Sequence, residues 1–329
     1  MIEGRAPGKL VLCGEYAVLH GASAIAVAVG AEAVATLEPA ADSQLRVAGG
    51  GEWPFAWRGG LPSWRQVPPG GQGAVLEAVA RALAARGFDL PPVTVTLDSR
   101  AFSARLPDGA VEKLGLGSSA AIVVALVRAA LALADRADDD AILAIALEAH
   151  RDLQGGGSGI DVATAALGGV VALHPSDDGP RAESLAWPAG LAALAVWTGQ
   201  GASTPAMLAK LEAWRRAEPR LFTDRIDALR DVAAGCLDAW RESAVSRLVA
   251  ALAGYATQLR LLDAAARIGI FTPLHHALSR ESASAGCVYK TSGAGGGDFG
   301  LAFAAAPAAV EALGRRWRAE GRLVLPIRP

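Results

Sequence analysis

Lys113-Leu114-Gly115-Leu116-Gly117-Ser118-Ser119-Ala120-Ala121 is the stretch on which the reading of the fold turns. Two glycines open it, two serines follow, and an apolar run continues to Ala134. A glycine loop that opens an apolar helix leaves free N–H groups and the positive helix end at one point, which is the recipe for an anion site. Ser118 and Ser119 add hydroxyls and Lys113 adds charge. No Gly-Lys-Ser/Thr closes the loop, so it is not a Walker A. It does satisfy the loose dinucleotide pattern GxGxxG/A, which leaves three readings open: phosphate loop, Rossmann loop, or structural turn. Against the Rossmann reading, residues 107–112 are turn-like rather than an apolar strand, and Asp135, near the spacing of a ribose-binding acid, sits among other acids.

Outward from this loop, lysine usage is the next signal. Of 31 basic residues only Lys9, Lys113, Lys210 and Lys290 are lysine, and three of them adjoin glycine-rich loops. Lys9 closes Ala6-Pro7-Gly8-Lys9, and Lys290 opens Lys290-Thr291-Ser292-Gly293-Ala294-Gly295-Gly296-Gly297-Asp298. A compact ammonium beside bare backbone N–H groups is a phosphate-binding combination. Glycine loses the most conformational freedom on folding, so the density at 293–297 points to backbone pressed against a ligand, with a mobile hairpin tip as the plain alternative. Asp298 is read as satisfying loop N–H groups rather than a metal. Ser158-Gly159-Ile160-Asp161 follows Gly155-Gly156-Gly157 and places a carboxylate at a helix start, either as a cap or as an acid near a phosphoryl acceptor.

The bulk composition frames these motifs. The chain has 329 residues, 52% hydrophobic and 19% charged, with net charge −2, which suits a compact protein of one large or two moderate domains and gives no electrostatic case for nucleic acid or membrane partners. Cys13, Cys236 and Cys287 form neither CxxC pairs nor a disulfide framework, which fits a reducing cytosol. The chain reaches its first glycine motif within a few residues of Met1, so no signal peptide is expected, and the run 120–134 is too short for a membrane span. A soluble cytoplasmic protein is the expectation. The five histidines show no metal-ligand spacing.

Patterning gives strands at Leu10 to Cys13 and Ala24 to Leu37 around a turn at His20-Gly21, and a loop-heavy segment over 40–73. A helix is expected from Ala74 to Arg86, and a strand at Val93 to Leu97 paired with Ser103 to Leu106 as a hairpin. Ser118 or Ser119 is the expected N-cap of the helix to Ala134. Further helices are expected over 138–153 and from 158 onward, and two or three between 205 and 268. The chain then ends strand, glycine loop, strand, helix, strand. Strands grouped apart from helices indicate α+β. Residues 175–180 are the expected boundary between domains 1–178 and 179–329.

Taken in order, the three loops resemble those of the GHMP kinase superfamily (galactokinase, homoserine kinase, mevalonate kinase, phosphomevalonate kinase). Ala6 to Leu10 through Gly14-Glu15-Tyr16-Ala17-Val18-Leu19 is similar to its first motif, Gly115 to Ala121 to its phosphate loop, and Lys290 to Gly300 to its third motif. Gly14-Glu15-Tyr16, Ser158 to Ala163, Trp197-Thr198-Gly199 with Ala202-Ser203-Thr204, and the run Ser292 to Asp298 resemble the phosphomevalonate kinase family in particular. His150 stands where mevalonate kinases carry a Mg²⁺-binding glutamate, and phosphomevalonate kinases resemble this chain in having histidine there.

The resemblance implies an ATP-dependent small-molecule kinase with an S5-like N-terminal domain, a ferredoxin-like C-terminal domain, and MgATP in the cleft between them. It implies Lys9 and Asp161 at the reaction centre. Lys113, Gly115, Leu116, Gly117, Ser118, Ser119 and Ala120 would hold the nucleotide, with Ser119 on Mg²⁺. Glu15, Tyr16, His20, Ser158, Gly159, Ser203, Lys290, Ser292, Gly293, Ala294 and Gly295 would lie on the substrate side. Mevalonate kinase or another GHMP kinase is the alternative. A non-catalytic ligand sensor on the same fold is the alternative of another class. Monomer and homodimer are both compatible with the sequence.

Overall fold

Glycine 4 and glycine 8, four apart on one face of the first strand, set how the N-terminal architecture is assembled. In the computed structural model, which describes residues 1–106, 109–136, 138–176 and 179–327, β1 runs Ile2–Cys13. A Cβ on Gly4 would lie 2.1 Å from the carbonyl oxygen of Ala125, and one on Gly8 2.8 Å from that of Leu116. Only glycine permits backbone to approach backbone that closely.

The chain forms two compact units. The first comprises Met1–Lys9, Ala28–Arg105 and Leu116–Gly168. Here the distal part of β2 (Ala24–Pro39) pairs antiparallel with β6 (Val93–Asp98), β6 pairs parallel with β3 (Ser43–Val47), and β4 (Glu52–Arg58) and β5 (Leu61–Trp64) continue the sheet antiparallel. The register sets Leu37 opposite Val95 and Leu45 opposite both Val95 and Trp53, all at most 9% exposed. Within 40–73, expected to be loop-heavy, residues 65–73 hold no strand, whereas 43–64 are a strand meander. Their glycines are turn residues: Gly59 and Gly60 have φ of 58° and 75°, as a two-residue hairpin of type I′ requires, and β4 alternates buried Trp53 and Phe55 with exposed neighbours.

Ser103–Arg105 (β7) stands outside the ladder of β6, whose neighbours are β2 and β3, so the expected hairpin of these two segments does not form. Helices α1 (Ala74–Ala84), α2 (Ser118–Leu133), α3 (Asp139–Gln154) and α4 (Ile160–Leu167) pack on one another. Eleven of the sixteen residues of α2 are buried, which identifies the apolar run as a core helix. Its N-cap is Gly117 in the left-handed conformation, not a serine.

The second unit comprises Leu10–Val27, Leu106–Gly115 and Gly169–Pro329. It includes β8 (Val111–Lys113) and the hairpin of β9 (Val170–His174) with β10 (Arg181–Leu185), which pairs with Ala24–Val27. Its main sheet has the order β12 (Val288–Thr291), β13 (Phe299–Ala304), β11 (Ala192–Trp197), β14 (Val324–Pro326), all antiparallel. Helices α8 (Pro273–Ser284) and α9 (Pro307–Ala319) cover this sheet over a core of Leu194, Leu278, Tyr289, Leu313 and Trp317. Helices α5 (Thr204–Ala217), α6 (Pro219–Arg241) and α7 (Val245–Ala266) complete the unit. Of its helices only α8 was not expected. The expected boundary at 178/179 falls on residues 177 and 178, outside those described. Among the described residues no helix is long and apolar enough to cross a membrane.

Candidate active site

In the first unit, three elements converge on Gly117. Its φ of 80° favours glycine, and a Cβ built there would lie 3.4 Å from Cγ and Cε of Lys9 and 3.7 Å from Cβ of Asp161. Lys9 comes from β1, Asp161 from the first turn of α4, and Gly117 caps α2. The Lys9 N–H donates to the Leu116 carbonyl at 2.8 Å, which pins the loop to the strand. Arg128 of α2 explains the single charge in the apolar run. Its guanidinium donates to the Arg5 carbonyl at 2.6 Å and to the Ala166 carbonyl, tying α2 to the strand that carries Lys9 and to the helix that carries Asp161.

The N-terminus of α2 is left open to a ligand. The N–H groups of Ser118, Ser119 and Ala120 belong to a first turn that has no intrahelical acceptors. That turn receives no side-chain cap and contains no acidic residue. By contrast α3 is capped by Asp138, which accepts from the Ala141 N–H at 2.9 Å. Ser118 and Ser119 are half-buried at this end. The Asp161 carboxylate accepts the Val162 N–H at 3.0 Å, and its other oxygen lies 3.8 Å from Nε2 of the buried His150. Ser158 Oγ accepts the Ile160 N–H at 3.3 Å, and Gly159, with φ of 81°, caps α4.

In the second unit the third glycine loop is tied down at almost every residue. Ser292 Oγ accepts the Val11 N–H at 2.9 Å and donates to the Val11 carbonyl at 3.1 Å. The Tyr16 hydroxyl donates to the Ala294 carbonyl, and burial pushes that hydroxyl's pKa upward. Tyr16 holds φ at 63°, a strained value for an aromatic residue. Gly295 cannot carry a side chain, since a Cβ would lie 2.6 Å from the Ile270 carbonyl, whereas Gly293 has open space. His275 is fully buried and bridges Tyr289 Oη at 2.7 Å and the Gly297 carbonyl at 3.1 Å. A carbonyl only accepts, so Nε2 carries the proton and Nδ1 accepts from the tyrosine. Burial lowers the His275 pKa to about 4 and keeps the ring neutral.

Asp298 joins neighbouring loops of this unit. Its N–H donates to the Gln200 carbonyl at 2.7 Å, its carbonyl accepts from Thr198, and its carboxylate accepts the Ala202 N–H at 3.2 Å. The same carboxylate occupies the space a Cβ of Gly115 would need. The reading of Asp298 as satisfying loop N–H groups is what the geometry gives.

Lys290 and Glu15 differ from expectation. The Lys290 ammonium is fully buried and donates to Glu15 Oε1 and to the Thr291 carbonyl at 2.6 Å, with Glu15 itself 2% exposed. The Glu15 carbonyl accepts from the buried Tyr255 hydroxyl at 2.6 Å. Expected on the substrate side, these two charges face each other inside the unit. Lys113 and Ser203 are exposed, and Ser203 precedes α5 without a side-chain cap bond. His20 packs edge-on against Phe222, with centroids 5.1 Å apart, and burial lowers its pKa. Gly4, Arg128 and His275 were missed by sequence reasoning. Only Gly4 had a signal, its spacing from Gly8.

Comparison with known proteins fits this arrangement. The family model for the GHMP kinases N terminal domain matches residues 74–169, a span that holds the glycine loop 115–121 and Asp161. A phosphomevalonate kinase of Streptomyces sp. (strain CL190) is 30% identical, with the alignment covering 100% of this chain and 97% of that protein. The chain belongs to the GHMP kinase family. The fold of this family member also matches a solved Streptococcus pneumoniae phosphomevalonate kinase in complex with phosphomevalonate and AMPPNP, at TM-score 0.80 and 21% identity over 99% of this chain and 100% of the other. Over 53% of the chain and 50% of the relative, it is 33% identical to a mevalonate kinase of Aeropyrum pernix. As a GHMP kinase the protein is a phosphotransferase of mixed α+β fold.

Proposed function

We propose that the protein is a phosphomevalonate kinase, which transfers the γ-phosphoryl group of ATP to the terminal phosphate of 5-phosphomevalonate and releases 5-diphosphomevalonate and ADP. The observation that carries this reading is its end-to-end likeness to the Streptomyces enzyme. The uncapped N-terminus of α2, with Lys9 and Asp161 beside it, suits the chemistry. In this reading Ser118, Ser119 and Ala120 receive nucleotide phosphate oxygens on their N–H groups, and Lys113 and Gly115 border them.

The acceptor is a phosphate oxygen, already ionised near neutral pH. No proton has to be abstracted for it to attack, so neutralising charge between two anions is the main task. Lys9 brings a cation to the point where Asp161 and the helix end meet. Asp161 orients that cation and the acceptor instead of serving as an obligatory base. The strained Tyr16 and the anchored third loop, with Ser292 and Ala294, shape the substrate side. Lys290 and Glu15 act through the loop they stiffen.

A Mg²⁺ ion fits this site only as part of a nucleotide complex. Among the described residues no group of three or more His, Cys, Asp and Glu side chains forms a metal cluster, whereas the Ser119 hydroxyl lies at the helix end. Held there, the ion would neutralise charge on the ATP phosphates. The buried, unpaired cysteines support a cytoplasmic location.

A coupled ADP-release assay offering mevalonate, 5-phosphomevalonate, homoserine and galactose side by side tests the proposal. Turnover is expected with 5-phosphomevalonate. Turnover with mevalonate and none with 5-phosphomevalonate would overturn it.

A further inference from the structure

His150 stands beside Asp161 and takes no part in the scheme above. It lies one turn from the end of α3, 4% exposed, and its Nε2 is buried with no hydrogen-bond partner among the described residues. Asp161 Oδ2 lies 3.8 Å from that nitrogen. A buried ring nitrogen without a partner is costly, so it calls for a reason. The facing oxygen belongs to a carboxylate that can only accept. Were Nε2 bare, two lone-pair-bearing atoms would face each other, so a proton belongs on Nε2.

The remaining gap is small. A charge-assisted N–H···O bond closes at about 2.7–2.9 Å, roughly 1 Å shorter than the distance seen. Hydrogen bonds of a reaction centre are often long without substrate and tighten in the complex. The chain between the two partners can supply that movement. Gly155, Gly156 and Gly157 are exposed, hold φ of 73°, 150° and 125°, and have open space where side chains would be. They join α3 to α4, an eight-residue helix whose first turn carries Asp161.

We infer that His150 is a positioning residue for Asp161, its Nε2–H closing onto Oδ2 when the site is occupied. With Oδ1 held by the Val162 N–H and Oδ2 by His150, the carboxylate plane is fixed from both sides. A carboxylate engaged at both oxygens is a fixed anchor for a cation, which suits an acceptor that arrives already ionised. This inference rests on the phosphoryl-transfer reading given above.

Two variants and one spectroscopic measurement test it. His150→Gln keeps an amide N–H near the place of Nε2, whereas His150→Leu keeps bulk and removes the donor. His150→Leu is expected to lower kcat about 10- to 100-fold, with KM for ATP held within about twofold and thermal stability unchanged or raised. His150→Gln is expected to restore most of the turnover. Equal turnover in wild type and His150→Leu would overturn the inference, as would a His150→Gln enzyme as slow as His150→Leu.

Nitrogen-15 NMR of the imidazoles decides the matter without any kinase activity. The His150 signals are assigned by their absence in His150→Gln. A protonated Nε2 whose resonance moves in Asp161→Asn is expected, and a bare Nε2, or one indifferent to that substitution, sinks the inference. A wild-type protein inactive on every acceptor would instead refute the kinase reading, with the NMR result still standing by itself.

Discussion

Lys9 and Lys290 look alike in the sequence, each beside a glycine-rich loop and each close to a carboxylate in the fold, yet the two regions use the charge in opposite ways. Around Lys9 the side chain is half-buried, and its stem lines the left-handed Gly117, the N-cap of a helix with no side-chain cap bond among the described residues. Around Lys290 the ammonium is sealed against Glu15 and two backbone carbonyls, at 0% and 2% exposure for the pair. In the first region the cation remains available to an arriving anion. In the second it is consumed in holding a loop. Burial, which no local motif encodes, separates the two.

The comparison breaks first at Lys290. Removing one partner of a sealed ion pair leaves an uncompensated charge, so Lys290→Met is expected to lower unfolding free energy by about 3–5 kcal/mol. Urea denaturation measures it, and an unchanged midpoint would return Lys290 to the ligand side. Lys9→Met is the complementary case. Loss of one charge-stabilising donor is expected to reduce turnover about 10²–10³-fold, with the urea midpoint near that of wild type and ATP still bound. Near-normal turnover would remove Lys9 from the reaction centre.

A third expectation sharpens the description of the sealed region. His275 is held neutral, its pKa lowered from 6.5 to about 4 by burial. The unfolded chain then binds a proton that the fold refuses. The stability this group contributes is complete above pH 6.5 and is lost as pH falls from 6.5 toward 4. At about 1.4 kcal/mol per pH unit the loss is about 3 kcal/mol. His275→Gln should lack that component, so urea midpoints at pH 7 and pH 4.5 should differ less in the variant than in wild type. An equal pH sensitivity would show that the ring is not held neutral.

Sequence patterning was sufficient wherever one signal dominated. The helix after Gly117 was legible because a glycine loop precedes an apolar run, and the α+β class because strands and helices segregate. Residues 43–64 were misread because glycine and proline density is shared by loops and by tight hairpins. The alternation that decides between them rests on Trp53 and Phe55 alone in β4. Helix α8 was missed for a different reason. Its buried positions are His275, Leu278 and Ser282, at helical spacing but with a single apolar residue among them. His275 is inside because Tyr289 and the Gly297 carbonyl satisfy its two nitrogens, and such partners cannot be read from periodicity. The candidate site was legible as motifs, but the split between Lys9 and Lys290 was not.

The route of the chain has a practical side. It passes from one compact unit to the other at 9/10, 27/28, 105/106, 115/116 and 168/169, so neither unit is a contiguous stretch of polypeptide. No single protease nick, stop codon or recombination breakpoint releases one unit whole. A gene split at any point yields fragments that each lack strands or loops the other holds. Swapping substrate preference between relatives by exchanging halves would therefore cut through both units at once. Exchanges confined to a single loop, such as 198–204 or 290–298, leave both units' connectivity intact.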